Sequence, residues 1–133
     1  MLAQAAHLVE VVVPTVLLRH YVLSFPFELS LLVPTTPKVL HALARINYQV
    51  TARYFRRRAA ESGTAGKTHV GAITFVHRFG TSLHLHLHLH VCVFDGVYVE
   101  RDDGDLHFSP AQALSKDELC ELVETVAVRV VNW

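Results

Sequence analysis

The stretch Leu83-His84-Leu85-His86-Leu87-His88-Leu89-His90-Val91-Cys92-Val93-Phe94 sets a histidine at every second position, four times in succession. Only an extended strand turns that alternation into a site. Successive strand side chains point to opposite faces, and residues two apart lie roughly 6–7 Å from one another. His84, His86, His88 and His90 then share one face, while Leu85, Leu87, Leu89, Val91 and Val93 share the other. Wound as a helix, the same residues would scatter around the axis. A single histidine on a strand is usually a solvated polar residue. Four in register, opposite a wholly apolar face, predict a metal site built from imidazoles.

The neighbouring segments supply partners for this strand. Val70 to His77 reads as a strand, and Phe79-Gly80-Thr81-Ser82 turns it into the histidine strand. Asp95-Gly96 is a tight-turn signal, so Val97-Tyr98-Val99 is expected to return as the next strand, with Asp102 to Asp105 as a loop. Ser115 and Glu118 form a capping box that opens a helix, with Leu119, Leu122, Val123, Val126 and Val130 on one face. Upstream, residues 1–12 read as a short helix stopped by Pro14, and His20 to Ser24 as a strand closed by Pro26. Thr36-Pro37 is a helix start, with a hydroxyl cap and a proline in the first turn. Val39, Leu43, Ile46, Val50 and Tyr54 then recur at helical spacing, so an amphipathic helix runs to about Ala60. Helix, strand, helix, three antiparallel strands, helix is the pattern of an α+β fold, one antiparallel sheet with helices on one face.

At 133 residues the chain makes a single domain, 1–133, long enough to bury one core without staples. Its richest apolar run, Val11 to Leu18, is broken by Pro14 and falls short of a membrane span. Cys92 and Cys120 have no paired spacing, so no disulfide framework is expected and a reduced, cytoplasmic setting fits. Net charge is zero, but its distribution is uneven. Arg53, Arg56, Arg57, Arg58 and Lys67 stand against Glu61 alone, a local balance of +4, whereas residues 100–133 carry −5. That asymmetry marks the basic cluster as a face for an anion, against the plainer reading of a solvated helix end. Ser62-Gly63-Thr64-Ala65-Gly66-Lys67-Thr68 looks superficially like a phosphate-binding loop. That motif needs glycine where Glu61 stands, and a strand before it rather than a helix, so nucleotide binding is rejected.

Taken with their order and spacing, several of these segments carry a family resemblance. They are Ala6-His7-Leu8-Val9, Tyr21-Val22-Leu23-Ser24-Phe25-Pro26, Gly71-Ala72-Ile73-Thr74-Phe75, Arg78-Phe79-Gly80, His88-Leu89-His90 and Asp95-Gly96-Val97-Tyr98. Together the set resembles the transposases of the insertion-sequence-91 type, rolling-circle enzymes among the HUH single-strand endonucleases. The likeness covers nearly the whole chain. It implies an RRM-like, ferredoxin-like palm whose central strand carries two metal-binding histidines, here His88 and His90. The implied cofactor is a divalent metal, magnesium or manganese, although imidazole ligands suit zinc or nickel at least as well. The implied chemistry is attack of a tyrosine on a phosphodiester polarised by the ion, and the implied partner is single-stranded or hairpin DNA in a bacterial, nucleoid-associated setting.

This chain departs from the family pattern in ways that bear on mechanism. Positions 84 and 86, commonly asparagine in the family (86 also histidine), are both histidine here. A third ligand is expected from His86 first and His77 second. Tyr21, Tyr48, Tyr54 and Tyr98 match no nucleophile position, so no catalytic residue is assigned. The family's tyrosines lie farther downstream, and its cysteine-rich zinc module lies upstream, so a longer form is expected. Two alternatives stand beside this reading. One is a non-catalytic metal- and DNA-binding remnant. The other is a metal-dependent cupin, for which Gly80 and His86-Leu87-His88 fit but Cys92 and Val93 occupy the glutamate position.

Overall fold

The computed structural model describes residues 7, 13–32, 36–80 and 85–133. Of the helix expected over residues 1–12, only His7 is described, and it is helical; the rest of that segment, with Thr81 to His84, lies outside the described residues. The fold is α+β. Among the described residues six strands, β1 (Leu18–Ser24), β2 (Lys67–His69), β3 (Ala72–Phe79), β4 (Leu85–Phe94), β5 (Gly96–Glu100) and β6 (Leu106–Pro110), form two antiparallel three-stranded sheets. With them, among the described residues, go the helices α1 (Phe27–Leu32), α2 (Pro37–Glu61) and α3 (Lys116–Val131). A 25-residue helix over open sheets is not the all-strand architecture of a cupin.

The histidine strand β4 is the centre of the first sheet, ordered β1-β4-β3. Its alternation is realised as expected. Leu87, Leu89, Val91 and Val93 are at most 1% exposed, against the helices, while the intervening histidines are only half-buried on the open face. Burying one such aliphatic side chain contributes roughly 1.5–3 kcal/mol, so this row fixes the register of the strand.

Asp95-Gly96 does not reverse the chain, which corrects the expected hairpin. β5 pairs with β2 on one side and β6 on the other, not with β4. Strands β2–β3 and β4–β5 are successive parts of one ribbon that breaks at Gly71 and Asp95, where Phe94 N–H still reaches Gly71 O at 3.0 Å. The turn potential of Asp95 is spent elsewhere. Its N–H donates to Leu17 O, its carbonyl accepts from Ala111 N–H, and its carboxylate binds Arg19. Gly96 is needed for close approach rather than for a turn, since a Cβ there would collide with the Ser109 carbonyl. The true reversal comes one strand later, where Arg101 N–H bonds Asp105 O and Gly104 takes φ 86°.

Helix α2 begins after Thr36, with Pro37 in its first turn, but the Thr36 hydroxyl makes no capping bond. Leu43, Ile46, Val50 and Phe55 bury its inner face. Two buried polar groups, Asn47 and Thr51, are satisfied by the Tyr21 hydroxyl of β1, which burial pushes above its ordinary pKa. Helix α1 is anchored by Ser30, 1% exposed, whose Oγ accepts from Leu87 N–H at 3.0 Å. Helix α3 opens with the expected Ser115–Glu118 capping box. It leans on α2 through Val126 against Ile46 and Val50, so Leu119 and Val123, expected on the packed face, are about half exposed.

Candidate metal centre on the open sheet face

The register of three strands builds this site. Reading across β1, β4 and β3, the open face carries the rows Ser24–His88–His77, Val22–His90–Phe75 and His20–Cys92–Ile73. Directly opposed residues of an antiparallel pair approach most closely, and diagonal ones remain within reach of long or aromatic side chains. His77 is therefore opposite His88 and diagonal to His90. The rings follow suit, with centroids 5.2 Å apart for His77–His88, 4.4 Å for His77–His90 and 5.2 Å for His88–His90.

His77, His88 and His90 each offer a ring nitrogen, and these atoms all lie within 4.8 Å of one another. Such a group could hold a metal ion. Ligand nitrogens around a divalent ion stand roughly 3 Å apart at metal–nitrogen distances near 2.0–2.1 Å, so small ring rotations close the set. Imidazole must be neutral to ligate. The surroundings favour that form at His90, whose pKa is pulled below the ordinary 6.5 by desolvation first and then by His77, His88 and His20. The Nδ1–H of His88 donates to the carbonyl of His86 at 2.9 Å, which leaves Nε2 with the lone pair.

Of the ligands expected from sequence, the structure brings His88 and His90 together. The third member of that cluster is His77, expected second after His86. His86 lies on the same face with its ring 5.1 Å from that of His88, but outside the triad. His84 lies outside the described residues. His20 was not singled out by sequence. It stacks on His90, with Nε2 3.1 Å from His90 Nδ1, and only the β1–β4 register could have revealed it.

The basic cluster is less free than its sequence suggests. Arg57 pairs with Glu121 at 3.1 Å and Glu61 at 3.7 Å, Arg58 with Glu118 at 3.0 Å, and Lys67 with Glu100 at 2.9 Å. Among the described residues only Arg53 and Arg56 of the five carry no ion pair, and both are exposed. Four of the five lie on α2, which covers the apolar face of β4, so they stand on the opposite side of the sheet from the histidines. Glu100 also accepts from His69, and the Lys67 hydrogen bond chiefly holds its pKa below the ordinary range.

The four tyrosines are all engaged away from the triad. Tyr21 bonds Asn47 and Thr51 beneath the sheet, and Tyr48 donates to Val70 O. Tyr98 packs between Phe94 and Phe108. Tyr54 is 5% exposed, and its hydroxyl makes no well-formed hydrogen bond; burial and the Glu118 charge push its pKa up to about 12.

Residues 71–132 match the family model described as "Putative transposase". This transposase-like segment runs from β3 through α3 and contains His77, His88 and His90, but not β1 or α2. No curated protein and no solved structure matches the chain. No helix among the described residues is long and apolar enough to cross a membrane.

Proposed function

We propose that the chain is a metal-dependent DNA-binding domain of a transposase, with a divalent ion held by His77, His88 and His90. The observation that carries this reading is the triad itself, which falls inside the transposase-like segment on an open sheet face. A central strand between two partners, with α2 and α3 packed on its apolar face among the described residues, supports an RRM-like palm of the HUH type. Three neutral imidazoles suit zinc or nickel, and magnesium or manganese enters by resemblance alone. When bound, the ion would supply Lewis-acid polarisation of a phosphodiester oxygen.

The chain's own residues bind and orient. His88 and His90 project from a strand that is hydrogen-bonded on both sides, so little ordering remains for ligand capture. Phe75 and Val22, 43% and 48% exposed beside His90, offer apolar surface on which unpaired bases can lie, and this favours single-stranded DNA. Arg53 and Arg56 would serve a second stretch of backbone on the helix side. No tyrosine is placed to attack, so the domain binds and positions DNA while the nucleophile comes from outside these residues.

The test is oligonucleotide binding followed by fluorescence anisotropy, with and without manganese. Metal should strengthen binding of a single strand in the wild type and leave the His88→Ala/His90→Ala variant unaffected. After denaturation, no oligonucleotide should remain attached to the protein. Equal metal response in the two proteins would remove the site from the reading, and a denaturation-resistant adduct would restore a nucleophile to this chain.

A further inference from the structure

We propose that His20, on the edge strand β1, is a positioning residue that holds His90 in the tautomer able to ligate a metal. The inference rests on the metal reading above, but concerns a residue outside the triad.

A neutral imidazole carries one proton and offers one lone pair, so a ligand histidine is competent only when its other nitrogen is protonated. For His88 the strand backbone makes the choice, because a carbonyl such as His86 O can only accept. Among the described residues no backbone group does this for His90. Its Nδ1 faces His20 Nε2 at 3.1 Å instead, with the two rings within 16° of parallel. Two proton arrangements satisfy that contact. In one, His90 Nδ1–H donates to His20, and His90 Nε2 is left with its lone pair. In the other, His20 Nε2–H donates, and His90 must carry its own proton on Nε2. Only the first lets Nε2 of both His88 and His90 face an ion.

The fold prepares His20 for this task. Its register partner on β4 is Cys92, a small side chain that leaves the ring free to lean along the diagonal toward His90. The adjacent Arg19 is clamped to Asp95 on the other face, which fixes β1 where His20 projects. His90 is thus flanked by His77 on one side and His20 on the other, a ligand and an orienting partner. Partners that orient metal-bound histidines typically contribute about 10- to 100-fold in metal affinity.

The experiment uses the full chain, with histidine ring nitrogens read by long-range ¹⁵N NMR without metal at about pH 8, above the ordinary histidine range. Zinc titration calorimetry follows on the wild type, His20→Ala and His20→Glu. Wild-type His90 is expected as the Nδ1–H form, and His20→Ala should move it toward a mixture and weaken zinc binding by about 10-fold or more. His20→Glu, which can only accept, should restore both readouts. His90 in the Nε2–H form in the wild type would overturn the proposal, as would unchanged tautomer and affinity in His20→Ala. A zinc-induced change at His20 Nε2 as large as that at His88 Nε2 would also overturn it, by making His20 a ligand. If the wild type binds no zinc but the tautomer responds to His20 as stated, the metal reading fails and the assignment of His20 stands.

Discussion

Arg19 holds Asp95 in a two-pronged grip, its Nη2 donating to Oδ1 at 2.7 Å and to Oδ2 at 2.9 Å, with Nε adding a bond to Oδ1 at 3.0 Å. The pair joins the start of the edge strand to the point where the central strand passes from one sheet to the other. Both side chains are partly buried, at 29% and 20% exposure, so solvent screens the pair less than a surface one.

Replacing Asp95 by Asn removes the charge while keeping the shape and one acceptor. We expect a loss of about 1–2 kcal/mol in urea unfolding, the range for charge-assisted hydrogen bonds with some exposure. Arg19→Lys/Asp95→Asn should be little worse than Asp95→Asn alone, because the two residues act as a unit. Additive losses would mean that they act independently.

Glu118 gives the fold a dependence on acid. Its pKa is held below the ordinary 4.5, first by the Ser115 backbone N–H and also by Arg58. A carboxylate depressed in the folded state stabilises it fully above the unfolded value, and that contribution is lost as pH falls through the folded one. Wild type should exceed Glu118→Gln in melting temperature at neutral pH, and the gap should close as the solution is acidified below about pH 4.5. A gap that is the same at pH 7 and pH 3 would show that the carboxylate's charge contributes nothing.

The choice of third ligand is directly measurable. His77→Ala should weaken manganese or zinc binding by at least about 10-fold, as expected for a lost ligand, while His86→Ala should leave it nearly unchanged. Calorimetry on the two variants decides the matter, and the reverse ranking would return His86 to the site.

The basic helix should make a salt-dependent contribution if it touches DNA. Each lost phosphate contact lowers the slope of log affinity against log salt by about 0.7–1. We expect that effect for Arg53→Gln and Arg56→Gln in anisotropy titrations. Arg58→Gln and Lys67→Gln break ion pairs within the protein and should act chiefly on stability. Unchanged slopes for Arg53 and Arg56 would make the cluster a solvated helix end.

Much of this architecture was legible in the chain because its signals are local. The period-two row from Leu85 to Val93, the helical spacing of Leu43, Ile46 and Val50, and the Ser115–Glu118 box each needed only neighbours in sequence. What escaped depended on distant partners. Asp95-Gly96 has the composition of a hairpin, yet Arg19, Leu17 and Ala111 satisfy Asp95 and let the chain run on. Strands β2 and β6 are three and five residues long, the first polar and the second ending in proline, with too little periodicity to register. His77 was within reach of inspection, but preferring it to His86 required knowing which β3 residue faces His88. Arg57, Arg58 and Lys67 looked opposed by Glu61 alone because Glu121, Glu118 and Glu100 lie on other elements.

The place of β4 between β1 and β3 has a consequence for how slowly its protons leave. Amides on a strand flanked on both sides, above side chains that are at most 1% exposed, exchange with solvent only when the whole domain opens. The peptide groups around His88 and His90 should therefore report the global unfolding free energy, whereas those of the short strand β2 exchange through local fraying. An ion held by these rings would then draw on the most slowly opening part of the molecule. Its binding would be felt as slower exchange throughout the central strand, with no new segment becoming ordered.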